Sequence, residues 1–170
     1  YQPLPRGRNI GIISNTGGAG VLAADAASDF SLNVPPIEEN TRKALRQILS
    51  PLASVDNPVD VVASGGRREY RVAVELMLAD PNVDMLMVIC AVPTFAGMTQ
   101  TEHAAGTLEA VRAAETDKPV VGVWLAGDVG KPGKDLLEMN RIPCYDDPYV
   151  AALCMSRVAE YAERHSRSEQ

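Results

Sequence analysis

Asn15, Thr16, Gly17, Gly18, Ala19 and Gly20 are the residues whose types and spacing best suit chemistry in this chain. Glycines at 17, 18 and 20 let the backbone come close to a bound group. Ahead of them Ile10, Ile12 and Ile13 read as a short buried strand. Behind them Val21, Leu22, Ala23, Ala24, Ala26 and Ala27 are good helix material. Thr16 or Asn15 is placed to cap that helix. A strand, a glycine turn and a helix start present unpaired N–H donors at the positive end of a helix dipole, which is chemistry for an anion. The spacing matches neither usual phosphate loop: Gly-x-Gly-x-x-Gly is absent, and no lysine follows the glycines. Close packing of a helix on its strand asks for the same glycines, so the turn alone leaves both readings open.

The other reactive residue types carry plainer expectations. His103, in Thr-Glu-His-Ala-Ala-Gly, is expected at the surface or in a helix cap, and His165 in an inert tail. Cys90, Cys144 and Cys154 are too few and too scattered for a disulfide framework or a zinc site. They read as reduced thiols of a cytoplasmic protein, Cys90 buried at a strand end, with no positioned base to make a nucleophile. Asp60 and Asp84 border strands, where turn and capping roles prevail. Asp128 is expected in a solvated turn, Trp124 in the core, and Met77, Met85 and Met87 as core filling. No catalytic residue and no metal site is assigned.

A length of 170 residues suits one domain, and a net charge of −6 excludes a nucleic-acid surface built on clustered Lys and Arg. No apolar run is long enough to cross a bilayer, so no membrane role is expected. Residues 1–7 (Tyr-Gln-Pro-Leu-Pro-Arg-Gly) read as a linker in a piece of something longer. Residues 8–164 read as the domain and residues 165–170 as a loose polar tail.

Residues 31–37 predict a short edge strand broken by Pro35-Pro36, and 38–49 a helix. Residues 57–62 predict a strand entered through Pro58, Ser64-Gly65-Gly66 a turn, and 67–79 a helix. A strand at 85–91, a loop at 93–100, a helix through His103, Leu108 and Val111, and a strand at 120–125 follow. The glycine-rich stretch 127–133 predicts a loop, 134–140 a helix, 142–145 a strand and 148–164 a closing helix. Strict alternation predicts an α/β fold with a parallel sheet in flavodoxin-like order, most central at Ile10, Met85 and Val120. Ligands bind beyond the carboxyl ends of such strands, where residues 14–20, 63–68, 91–99 and 126–131 would gather. Glycine pairs or near-pairs in three of these loops favour anion binding at the first.

Several segments together resemble one family. Ile12-Ile13-Ser14-Asn15-Thr16-Gly17-Gly18-Ala19-Gly20-Val21-Leu22-Ala23-Ala24-Asp25 is similar to the Asn-Ala-Gly-Gly-Pro-Gly-Val-Leu-Ala-Ala-Asp segment of nucleotide-diphosphate-forming acyl-CoA synthetases, relatives of succinyl-CoA synthetase. Ala53-Ser54-Val55-Asp56-Asn57-Pro58-Val59-Asp60-Val61 resembles their Ala-Ser-x-x-Asn-Pro-Val-Asp segment. Tyr70 with Ala79-Asp80-Pro81-Asn82-Val83-Asp84, Lys118-Pro119-Val120 and Ile142-Pro143-Cys144-Tyr145 also fit. The resemblance covers nearly the whole chain in order. It implies the flavodoxin-like domain equivalent to the carboxyl-terminal domain of the succinyl-CoA synthetase β subunit, in three layers with helices on both faces. In that family CoA, the phosphorylated histidine and Mg-ATP or Mg-ADP belong to CoA-binding, phosphohistidine and ATP-grasp domains, so this domain is expected to be inactive alone. Carried over, Asn15, Thr16, Gly17, Gly18, Ala19 and Gly20 would hold phosphate, facing a helix of the histidine-bearing domain. A looser match makes Thr94, Phe95, Gly97 and Thr99 a substrate loop. Ala19 stands where relatives often have proline, and keeps the N–H that proline lacks.

Two other classes fit the same elements. A stand-alone module could bind FMN at these loops, though few aromatic residues are available to flank its ring. A regulatory domain of a fused protein acetyltransferase would keep the fold without ligase activity.

Overall fold

The computed structural model describes residues 2–91, 101–125 and 127–168. Its elements run β1 (Ile10–Ser14), α1 (Gly17–Asp29), α2 (Glu39–Ile48), β2 (Val59–Asp60), α3 (Arg67–Ala79), β3 (Met85–Cys90), α4 (Glu102–Ala114), β4 (Val120–Trp124), α5 (Gly127–Met139), β5 (Cys144–Tyr145) and α6 (Pro148–Ser168). The five strands lie in the order β2-β1-β3-β4-β5, all parallel, which is the flavodoxin-like order. Ile10 pairs with Met85 and Leu86 with Val120, so β3 is central with β1 and β4 beside it.

Burial on both faces explains why β1, β3 and β4 are apolar throughout rather than alternating. On one face Ile13, Leu86, Val88, Cys90 and Trp124 meet Leu45 of α2, Tyr70 and Met77 of α3, Leu108 of α4 and Leu137 of α5. On the other, Ile12, Met87 and Val123 meet Ala23 and Ala27 of α1 and Met155 and Ala159 of α6. The alanines let α1 sit close to the sheet. Three layers result, as expected.

Four segments differ from expectation. Residues 31–37 form no strand: Asn33 makes a single bridge to Asn9, and Pro35-Pro36 cannot extend the pairing. Expected pairing over 57–62 shrinks to Val59–Asp60, because Asn57 turns its side chain onto the Ile10 and Pro35 carbonyls and accepts from Ile12 N, while Val62 leaves the extended region at φ 59°. Residues 127–133 are not a loop but the first turns of α5. Gly130 and Gly133 are buried with Leu137 on one stripe, so these glycines serve close approach. The expected loose tail is helical through Ser168, held by Arg164–Glu160, by Ser166 Oγ donating to Ala162 O at 2.8 Å, and by Tyr161 stacked on His165.

The segment expected as a linker lies against the domain. Gln2 donates to Arg141 O at 2.6 Å and accepts from Val120 N at 2.9 Å, while Pro5 is buried. Arg6 pairs with Asp117, and Arg8 grips Glu163 at 2.6 and 3.0 Å.

Candidate functional site

Parallel pairing brings the starts of α1 and α3 together at the carboxyl edge of the sheet. Ser14 closes β1 and shapes the following turn: its hydroxyl accepts from Thr16 N at 3.1 Å and donates to Thr16 O at 2.8 Å. Thr16 is the N-cap, extended at φ −148°, but its side chain makes no capping bond. Helix geometry leaves the N–H groups of the first turn without intrahelical acceptors. Gly17 and Gly18 are exposed, and a Cβ on Gly18 would meet nothing within 4 Å. Backbone donors there are open to a ligand.

The six sequence-chosen residues divide in their geometry. Ala19 and Gly20 are buried, and a Cβ on Gly20 would lie 3.3 Å from Pro58 Cβ, so Gly20 serves close packing. Asn15 is only 3% exposed. Its amide donates to Ala91 O at 2.8 Å and accepts from Ala91 N at 2.9 Å, locking the end of β1 to the end of β3. Thr94, Phe95, Gly97 and Thr99 lie outside the described residues.

Asp60, expected only in a turn or cap, is a neighbour of this glycine turn. Its Oδ1 accepts from Val62 N at 2.9 Å, the expected turn role, and its Oδ2 lies 3.2 Å from where a Cβ on Gly17 would stand. A carboxylate therefore already sits beside the start of α1. Asp84 departs from the expected turn role: its Oδ2 accepts from Asn9 N at 3.0 Å, 75 residues away, and ties the starts of β1 and β3 together.

The second glycine turn is filled by the protein itself. Gly65 donates to Val62 O at 3.0 Å, and Gly66 N donates to Glu69 Oε2 at 2.9 Å. His103 supplies the remaining partner, its Nε2 lying 3.1 Å from Gly65 O. Far from the surface or a cap, His103 is 1% exposed and edge-on to Tyr70 at 4.9 Å. Burial lowers its pKa, opposed by the Gly65 bond and Glu102. The reason is tertiary: Gly106 brings α4 against the Arg67 carbonyl of α3, which carries His103 inside.

Burial pushes the Cys90 and Cys144 thiols up to about 12. Trp124 is core, Asp128 is exposed in the first turn of α5, and among the described residues no cluster suits a metal. Among those residues no helix is long and apolar enough to cross a membrane.

A three-layer flavodoxin-like sheet with an open glycine turn at its carboxyl edge defines the α/β class of this domain. Residues 10–164 match the Ligase-CoA domain, and the chain belongs to that family. It is 45% identical over 162 residues to the alpha subunit of ADP-forming acetate–CoA ligase II of Pyrococcus furiosus, covering 95% of this chain and 35% of that protein. A crystal structure from Pyrococcus horikoshii superposes with a TM-score of 0.93 at 47% identity, over 95% of this chain and 37% of the other. The dinucleotide-forming acetyl-coenzyme A synthetase 1 of Ca. Korarchaeum cryptofilum, in complex with phosphate and ADP, gives 0.88 at 28% identity, over 98% of this chain and 35% of that one. The chain thus spans about a third of the length of the two Pyrococcus furiosus alpha subunits it matches.

Proposed function

We propose that this chain is the phosphate-site and assembly domain of a nucleotide-diphosphate-forming acyl-CoA ligase. Its parent enzyme interconverts acyl-CoA, ADP and phosphate with carboxylic acid, CoA and ATP through a phosphohistidine on another domain. The observation that carries this reading is the open first turn of α1, where Gly17 and Gly18 are exposed at the carboxyl end of β1. The Korarchaeum relative is a synthetase in complex with phosphate and ADP, which supports the same chemistry here.

Phosphoryl transfer concentrates negative charge, and fixed backbone donors stabilise it without reorganising. The amides of Gly17, Gly18 and Ala19 are such donors, and the α1 dipole adds to them. Asp60 beside Gly17 directs a bound anion to the Gly18 side, away from its carboxylate. Asn15 acts through position, since its side chain is committed to Ala91. Val21 and Leu22, 59% and 62% exposed one turn on, offer the apolar surface against which the histidine-bearing domain docks. CoA and the magnesium nucleotide are held by the CoA-binding and ATP-grasp parts, which provide activation of the acid and the phosphoryl donor. The domain works in the cytoplasm and is inactive by itself.

An amide-shift titration with inorganic phosphate tests the site. Gly17, Gly18 and Ala19 should move at millimolar phosphate, while Gly65 and Gly66 stay still. Immobile α1 amides would sink the reading. Acyl-CoA formation by the isolated chain would overturn its dependence on partner domains.

A further inference from the structure

Val62 is the one β-branched residue among the described residues with a positive φ, 59°, a conformation that crowds its side chain against its own backbone. Such a residue persists only where its surroundings hold it. Three side chains do so. Asp60 Oδ1 accepts from Val62 N at 2.9 Å, and Glu69 Oε2 accepts from Gly66 N at 2.9 Å. The third is His103 of α4, whose Nε2 meets Gly65 O at 3.1 Å. Gly65 in turn donates to Val62 O at 3.0 Å, so the histidine bears on the strained residue through a single intervening residue.

The ring's protonation follows from its neighbours. Gly65 O only accepts, so Nε2 carries the hydrogen. Nδ1 is buried and has no hydrogen-bond partner among the described residues. A neutral ring fits this site, whereas a second N–H would be buried without an acceptor. Of the titratable groups around it, the Tyr70 hydroxyl of α3 is committed to Ile89 O at 2.7 Å. Glu69 is committed to Gly66, and Arg67 to Glu109 of α4. Cys90 of β3 is held as a thiol by burial, and burial disfavours charge on the ring more than the Gly65 carbonyl and Glu102 of α4 favour it.

We propose that His103 is the positioning residue of the Asp60–Gly66 turn: its neutral ring latches Gly65 through Nε2, and a proton added at Nδ1 opens the latch. Opening frees Val62 to leave the left-handed region and lets Asp60 swing from the start of α1. The latch thereby sets the electrostatics of the neighbouring open turn. The proposal stands on the geometry of the Asp60–Gly66 turn and holds whether or not phosphate is the ligand of α1.

The test is an imidazole and amide NMR titration of the 170-residue chain without added ligand. Wild-type His103 should show the Nε2–H tautomer, and the Val62, Gly65 and Gly66 amides should shift with the same midpoint as the ring. His103→Gln, which keeps a donor but cannot charge, should give shifts that ignore pH over that range. His103→Leu should speed hydrogen exchange at Gly65 by about tenfold at neutral pH, the loss expected for one buried hydrogen bond. The Nδ1–H tautomer, or a ring that titrates while the three amides stay still, overturns the latch. So does a ring that remains neutral until the sheet itself unfolds. The wild-type titration decides the matter even if the leucine variant fails to fold.

Discussion

Two glycine pairs stand at helix starts on the same edge of the sheet, and the protein treats them in opposite ways. Gly17-Gly18 is left open: Gly18 faces empty space, and the Thr16 side chain does not cap the helix. Gly65-Gly66 is closed: a Cβ on Gly65 would lie 2.8 Å from Val61 O, and Glu69 and His103 occupy the hydrogen-bonding groups of the pair. One pair leaves its backbone exposed at the start of α1. The other gives the chain room for its own groups. A glycine pair is therefore evidence of close approach, and only the approaching partner tells binding from packing.

Substitutions at the closed side should hurt stability most. Gly106→Ala puts a Cβ 2.2 Å from the Arg67 carbonyl that anchors the start of α3, and should cost about 3 kcal/mol in urea unfolding. Gly65→Ala meets backbone at 2.8 Å and should cost about 2 kcal/mol by the same measurement. If either is neutral, the closed turn is not tightly packed.

A pH effect comes next. The folded pKa of His103 is lowered by burial, so below about 6.5, the ordinary histidine value, the unfolded chain binds more protons than the folded one. The stability tied to the neutral ring is then full above that value and lost as pH falls from it towards the folded pKa. Urea midpoints measured across that range should fall in the wild type and flatten in His103→Gln.

The open side should respond in binding rather than in folding. Gly18→Ala should leave stability within about 0.5 kcal/mol of wild type, on the gaining side, because alanine favours helix and meets no obstacle. Its phosphate-induced amide shifts should weaken. Asp60→Asn removes a negative charge beside Gly17 and should tighten phosphate binding by about threefold, read from the same titration. If Gly18→Ala destabilises as much as Gly65→Ala, the contrast between the turns collapses.

The layered fold was legible because its signals are local. Ile10, Ile12 and Ile13, the Met85–Cys90 run and Val120–Trp124 are apolar on both faces, and that requires strands covered twice. The misreadings have two causes. Gly130 and Gly133 looked like loop residues, yet they form the buried stripe of α5. Residues 31–37 alternate like a strand, but find a partner only at Asn33. The first pattern was overruled by packing across a layer boundary, the second by prolines that cannot extend the pairing.

By itself the sequence determined the alternation of strand and helix, the doubly buried sheet, and the glycine turn at the head of α1, because periodicity and backbone freedom are properties of neighbours in the chain. Tertiary structure alone decided which glycine pair stays open, that His103 lies inside, and that Asp60 stands beside Gly17. Those contacts join residues far apart in sequence, His103 to Gly65 across 38 positions. Parallel pairing of β1, β2 and β3 and the close approach of α3 and α4 bring them together, and no local pattern encodes that distance.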